Sequence, residues 1–180
     1  AQKQKSISVE TITLWQQQAF YGAFNQQIKQ HDSHALLEYW QQLPKKIKQS
    51  ETVVLAYCQV LAENQVNEPL AKLLLPVIKK GNAISLLKAV RTLPITQDDS
   101  LMAAAQKHLH NEPHNAIWLS LVAHFATASQ QWQLAEKAFN SLVNLEEKQY
   151  DKTDLLVFSQ VLEHQGHLDK ANQVLRKIHA

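Results

Sequence analysis

Nine histidines, a single cysteine and the adjacent acids Asp98 and Asp99 are the side chains of this 180-residue sequence whose types and spacing could carry chemistry. The histidines cluster as His108-x-His110-x-x-x-His114 and His164-x-x-His167. Residues two apart on a helix face different ways, so His108 and His110 cannot share a metal, and Pro113 interrupts the helix before His114. His164 and His167 straddle Gly166, which makes them turn residues in contact with solvent. If the chain holds haem, His164 and His124 are the candidates for an axial ligand, although no Cys-x-x-Cys-His attachment motif accompanies them. Cys58 falls at an apolar helical position and reads as a buried structural thiol; one cysteine excludes an internal disulfide framework and a four-thiolate metal site. Asp98-Asp99 precede Ser100 and a helix starting near Leu101, where capping and favourable charge at the helix N-terminus account for them. No phosphate-binding loop, H-E-x-x-H or G-x-S-x-G is present, and three glycines leave little material for a phosphate cradle. The expectation is a non-enzyme with no catalytic residues and no metal site.

The elements that position these residues are helices. Val54, Leu55, Cys58, Leu61 and Ala62 recur at three and four, as do Leu70, Leu73, Leu74, Val77 and Ile78, the spacing of an amphipathic helix. The same spacing returns in Trp118, Leu121, Val122 and Phe125, in Leu134, Ala135, Ala138, Phe139 and Leu142, and in Leu155, Phe158, Leu162, Leu168, Ala171, Leu175 and Ile178. Short polar stretches, 64–68, 129–131 and 165–167, have the length of helix-to-helix turns. With 45% apolar and 19% charged residues the chain can bury a core without metal or disulfide. Few glycines and the absence of alternating patterns argue against sandwiches and barrels.

An alanine followed four residues later by a large apolar residue occurs as Ala71/Leu75, Ala105/Leu109, Ala135/Phe139 and Ala171/Leu175, at intervals of 34, 30 and 36 residues. Those intervals are tetratricopeptide-repeat intervals: the second helix of each hairpin must approach the first where only a small side chain fits. The predicted fold is all-α, a right-handed superhelical array of antiparallel hairpins forming one domain over 1–180. Leading helices occupy 1–50 and hairpins 51–80, 84–112, 115–145 and 153–180. A first helix from about Val9 to Gln30 carries Trp15, Phe20, Tyr21 and Phe24, which pack on Leu36 and Trp40 as core or face outward as a junction surface.

The formal charge is only +2, too little for a nucleic-acid surface, although residues 1–92 carry 11 basic and 6 acidic side chains and residues 93–180 carry 7 and 10. No apolar run is long enough to span a membrane. There is no initiator Met, and Ala1 to Ser6 lack the features of a signal peptide, so the chain reads as a piece of a longer protein.

Leu36-Leu37-x-x-Trp40-x-x-Leu43-Pro44 followed by Ile47, Glu51, Val54 and Tyr57, the segment His108 to Pro113, and Trp118-x-x-Leu121 together resemble the carboxy-terminal domain of the HemY family. These are bacterial haem-biosynthesis-associated membrane proteins, and the resemblance covers about residues 33 to 180. It implies tetratricopeptide repeats behind an inner-membrane anchor of amino-terminal helices, absent from this sequence. It also implies an association with a late step of protohaem formation and no established enzymatic activity. His108 stands where the family often has an aromatic residue.

The repeat register places a partner groove on the first helix of each hairpin. Glu63, Asn64, Ala123, Thr127, Gln160, Glu163 and His164 line it, with Lys88 and Arg91 adding positive charge. The expected function is a non-catalytic scaffold for protein partners, haem-biosynthesis enzymes by resemblance, on the cytoplasmic face of a bacterial inner membrane. The alternative is a protein that binds porphyrin or haem in the same groove, and the sequence allows a homodimer.

Overall fold

The computed structural model describes residues 8–95 and 99–179; the Asp98 half of the acidic pair and Ala1 to Ser6 lie outside them. Among the described residues there are eleven α-helices and no strand, so the chain is all-α. Contacts divide the chain into two compact units, 1–66 and 67–180.

The first unit contains α1 (Val9–Gln30), α2 (Ser33–Gln42), the single turn α3 (Lys45–Lys48) and α4 (Glu51–Glu63). Ser8 opens α1 by accepting a hydrogen bond from the Thr11 amide (3.2 Å), and Asp32 opens α2 by accepting from Ala35 (2.9 Å), satisfying amides that have no partner inside the helix. Leu43 ends α2 in an extended conformation ahead of Pro44, as the residue before proline must. The helices α2 and α4 pack against α1, around Phe24 at 0% exposure. The rings of Tyr39, Trp40 and Tyr57 meet Phe24 edge-on at 5.9, 6.0 and 5.3 Å, and Trp40 lies flat on Tyr57 at 4.0 Å. The aromatic stretch of α1 therefore divides. Phe24 is core, Phe20 and Tyr21 are half-buried, and Trp15 is 54% exposed alongside Val9, Ile12 and Leu14.

The second unit contains α5 (Asn67–Lys80), α6 (Ile84–Val90), α7 (Asp99–Asn111), α8 (Ala116–Ala128), α9 (Trp132–Val143), α10 (Lys152–His164) and α11 (Leu168–His179), with a short 3-10 turn at Glu147–Gln149. Here α8 pairs with α9 and α10 with α11, while α10 also packs on both α8 and α9. The alanines expected at close approaches are buried in α7, α9 and α11, with Ala105 and Ala135 at 0% and Ala171 at 1%; Ala71 in α5 is only half-buried. The helix α7 packs on α5 and α8, whereas the short α6 packs on α8.

One turn recurs. After α4, α8 and α10 the chain places Gln65, Gln130 and Gly166 in the left-handed region, at φ 58°, 58° and 78°. In each case the next amide reaches back five residues, Val66 to Leu61, Gln131 to Ala126 and His167 to Leu162, closing the helix's free carbonyls in a Schellman motif.

Candidate functional site

The most concentrated polar chemistry among the described residues lies inside the second unit. Asp151 and Asp154 open α10 as a capping box, each side chain accepting from the other's amide at 3.1 Å. Asp154 is 1% exposed, so a carboxylate sits in the core and needs partners. Ser120 on α8 donates to its Oδ1 (2.6 Å), and His124, one turn further along α8, brings Nε2 to the same oxygen (3.0 Å). Arg91, at the end of α6, donates through Nη1 to Ser120 (3.0 Å) and to Asp154 (3.3 Å), and through Nη2 to Asp151.

Burial by itself would raise the Asp154 carboxyl; the hydrogen bonds from His124 and Ser120 and the charge of Arg91 outweigh it and bring it down to about 2. An ionised carboxylate only accepts, so His124 Nε2 carries the proton that bonds it. One atom stays unsatisfied: Arg91 Nε is buried without a partner among the described residues.

Serine, histidine and aspartate together invite comparison with a hydrolytic triad, but the wiring differs. In a triad the histidine bridges the hydroxyl and the acid. Here Ser120 and His124 both terminate on Asp154 Oδ1, and all three side chains are less than 5% exposed. The arrangement fastens α6, α8 and the N-terminus of α10 together.

Arg91, expected on a partner-facing surface, is thus a core residue at 8% exposure, because two carboxylates from α10 and a hydroxyl from α8 converge on it. Ala123 is likewise covered, at 0%. Thr127 is half-buried and donates to the Ala123 carbonyl (2.8 Å). Lys88, Gln160 and Glu163 are exposed. In the first unit, Glu63 is exposed and accepts from Tyr21 (2.7 Å) and Gln59 (2.9 Å), while Asn64 donates to the Val60 carbonyl at the end of α4 (2.8 Å).

The histidines take separate places. His124 is buried on Asp154, whereas His164 is exposed, its ring centroid 3.8 Å from that of Trp132. His167 Nδ1 lies 3.2 Å from Glu136. His108 stacks on Trp118 at 4.1 Å, nearly parallel, with Nε2 3.1 Å from the Lys79 carbonyl. Gly81, at φ 67°, lets the chain leave α5 beneath that stack, where a Cβ would come within 3.0 Å of both rings. Among the described residues, no group of three metal-ligating side chains converges. Cys58 is fully buried, and burial pushes its thiol up to about 12, far from the thiolate that reacts.

Several hollows open on the second unit, two of them between its packed helices. One of about 550 Å³ runs between α5 and α7, lined by Leu75, Lys79, Ala103, Ala104, Lys107 and His108 among others. The other, about 480 Å³, is floored by Leu109, Leu119, Val122, Leu134 and Ala138 from α7, α8 and α9. Sequence reasoning identified neither Asp154 nor Ser120. The Asp151-x-x-Asp154 spacing before an apolar run marks a capping box and could have singled out the acids. Nothing local marks their pairing with Arg91, 60 residues upstream. No helix among the described residues is long and apolar enough to cross a membrane. No protein-family model matches this chain, nor does any curated protein or solved structure.

Proposed function

We propose that the chain is a non-catalytic interaction scaffold, a tetratricopeptide-like array of helical hairpins that presents surface to protein partners. On the residues that resemble the HemY family, its place is the repeat region of an inner-membrane protein, and its partners are enzymes of a late step of protohaem formation. The observation that carries this reading is the recurrence in the second unit: two successive hairpins, α8/α9 and α10/α11, close through the same left-handed turn, at Gln130 and, 36 residues later, at Gly166. A repeat that buries its apolar face only by stacking on its neighbour is the architecture of binding arrays. The convergence of Ser120 and His124 on a single buried oxygen, in place of a nucleophile chained to a base, supports the non-catalytic part.

Calorimetric titration of the chain with purified enzymes of the last protohaem steps tests the proposal. Saturable binding at micromolar concentration is the expected result. Absence of binding, together with a saturable haem absorbance shift that His164→Ala abolishes, would replace the scaffold by a haem-handling protein.

A further inference from the structure

The hollow between α5 and α7 has the form of a seat for a helix. On α7, Ser100, Ala103, Ala104, Lys107 and Asn111 stand at i, i+3, i+4, i+7 and i+11, the positions of one helix face, and they line the groove for about 16 Å. Its floor is built from Leu75 and two alanines, the alanines small enough to let a second backbone come close. Its walls are cationic. Lys79 from α5 and Lys107 from α7 are both exposed; among the described residues neither forms an ion pair and no carboxylate lines the groove. His108 also lines it, with its ring fixed by Trp118 and by the Lys79 carbonyl, so that this wall is rigid before anything binds.

Resting on the scaffold reading, we infer that the α5–α7 groove of the second unit binds an acidic amphipathic helix of a partner protein. The partner's apolar stripe lies over Leu75, Ala103 and Ala104, and its carboxylates face Lys79 and Lys107. A bare apolar slot would accept any greasy helix; two unpaired lysines flanking this one select an acidic one and speed its association. The contact lies on second helices of the predicted hairpins, away from the first-helix positions the repeat register designates.

The probe is a synthetic amphipathic helix of about three turns with a leucine stripe flanked by glutamates, and a twin carrying glutamine in their place. Binding to the full chain is followed by amide chemical shifts. The expected result is shifts confined to α5 and α7, with affinity for the acidic peptide ~10-fold above its twin and lost on raising salt. Lys79→Glu with Lys107→Glu should abolish that preference while leaving the thermal transition in place, since both side chains are exposed. Equal binding of the two peptides, shifts centred on the α7–α8–α9 hollow, or no binding would overturn the inference. If the double variant still binds the haem-pathway enzymes as the unaltered chain does, the groove assignment fails and the scaffold stands. Failure of both chains to bind them removes the scaffold reading itself.

Discussion

The two units solve the same problem, burying one face of each helix, with different materials. The first centres on Phe24, ringed by Tyr39, Trp40 and Tyr57, and its polar pairs, such as Tyr21 with Glu63, stay at the surface. The second has an aliphatic core with Phe139 stacked on Phe158, and sets into it a buried arginine with two carboxylates, one of them fully buried. Aromatic packing is attractive over a broad range of angles, so it tolerates small shifts. A buried ion pair works only while every partner is present, since the desolvation cost remains when a partner is lost. The first unit should therefore weaken gradually under perturbation, and the second should fail at one point.

Removing Asp154 probes the contrast hardest. Asp154→Ala leaves Arg91 buried with the half-exposed Asp151 as its one remaining carboxylate and strips Ser120, His124 and the Asp151 amide of their acceptor, which should cost the second unit about 3–5 kcal/mol. Hydrogen exchange resolved along the chain reads it. Amides of α8 and α10 should exchange faster while those of α1 and α4 keep their protection, and equal acceleration in both sets would erase the distinction between the units.

Acid should act through the same group with a smaller effect. The folded Asp154 carboxyl, at about 2, lies below the ordinary unfolded value near 3.9, so the folded state binds the proton less readily. Its contribution is complete above the unfolded value and fades as the pH falls through 4 towards 2, amounting to roughly 2–3 kcal/mol. Urea unfolding across that range, compared with Asp154→Asn, isolates it. The variant's second-unit stability should change less with pH, and parallel curves would show that other carboxylates govern acid sensitivity.

The smallest effect concerns what the units share. Gln65 and Gln130 both hold a left-handed turn that glycine adopts without steric cost, as Gly166 already does. Gln130→Gly and Gln65→Gly should each stabilise by about 0.5–1 kcal/mol, seen as a raised thermal midpoint. Similar gains in both would locate the difference between the units in their cores. A gain in one alone would extend that difference to the turns.

Helices, turns and buried thiol were legible because each depends on neighbours a few residues away. The three-and-four spacing around Cys58 marked it as core, the polar stretches 129–131 and 165–167 marked the turns, and the first helix spans Val9–Gln30 as its pattern indicates. The glycine at 166 marked an inter-helix turn, and its left-handed conformation there, shared with glutamine at 65 and 130, is held by backbone hydrogen bonds that leave no mark on residue type.

Tertiary structure alone decided which polar residues went inside. Arg91 and Lys88 share a helical segment and the same charge, and local pattern gives no reason to separate them. Arg91 is buried because folding brings Ser120, Asp151 and Asp154 to it from 29 to 63 residues away, while Lys88 meets no such group among the described residues and stays in water. Helical periodicity is a property of consecutive residues and so is written in the sequence. The pairing of charges across α6, α8 and α10 depends on how those helices cross, and that is fixed only when side chains from distant segments pack against one another.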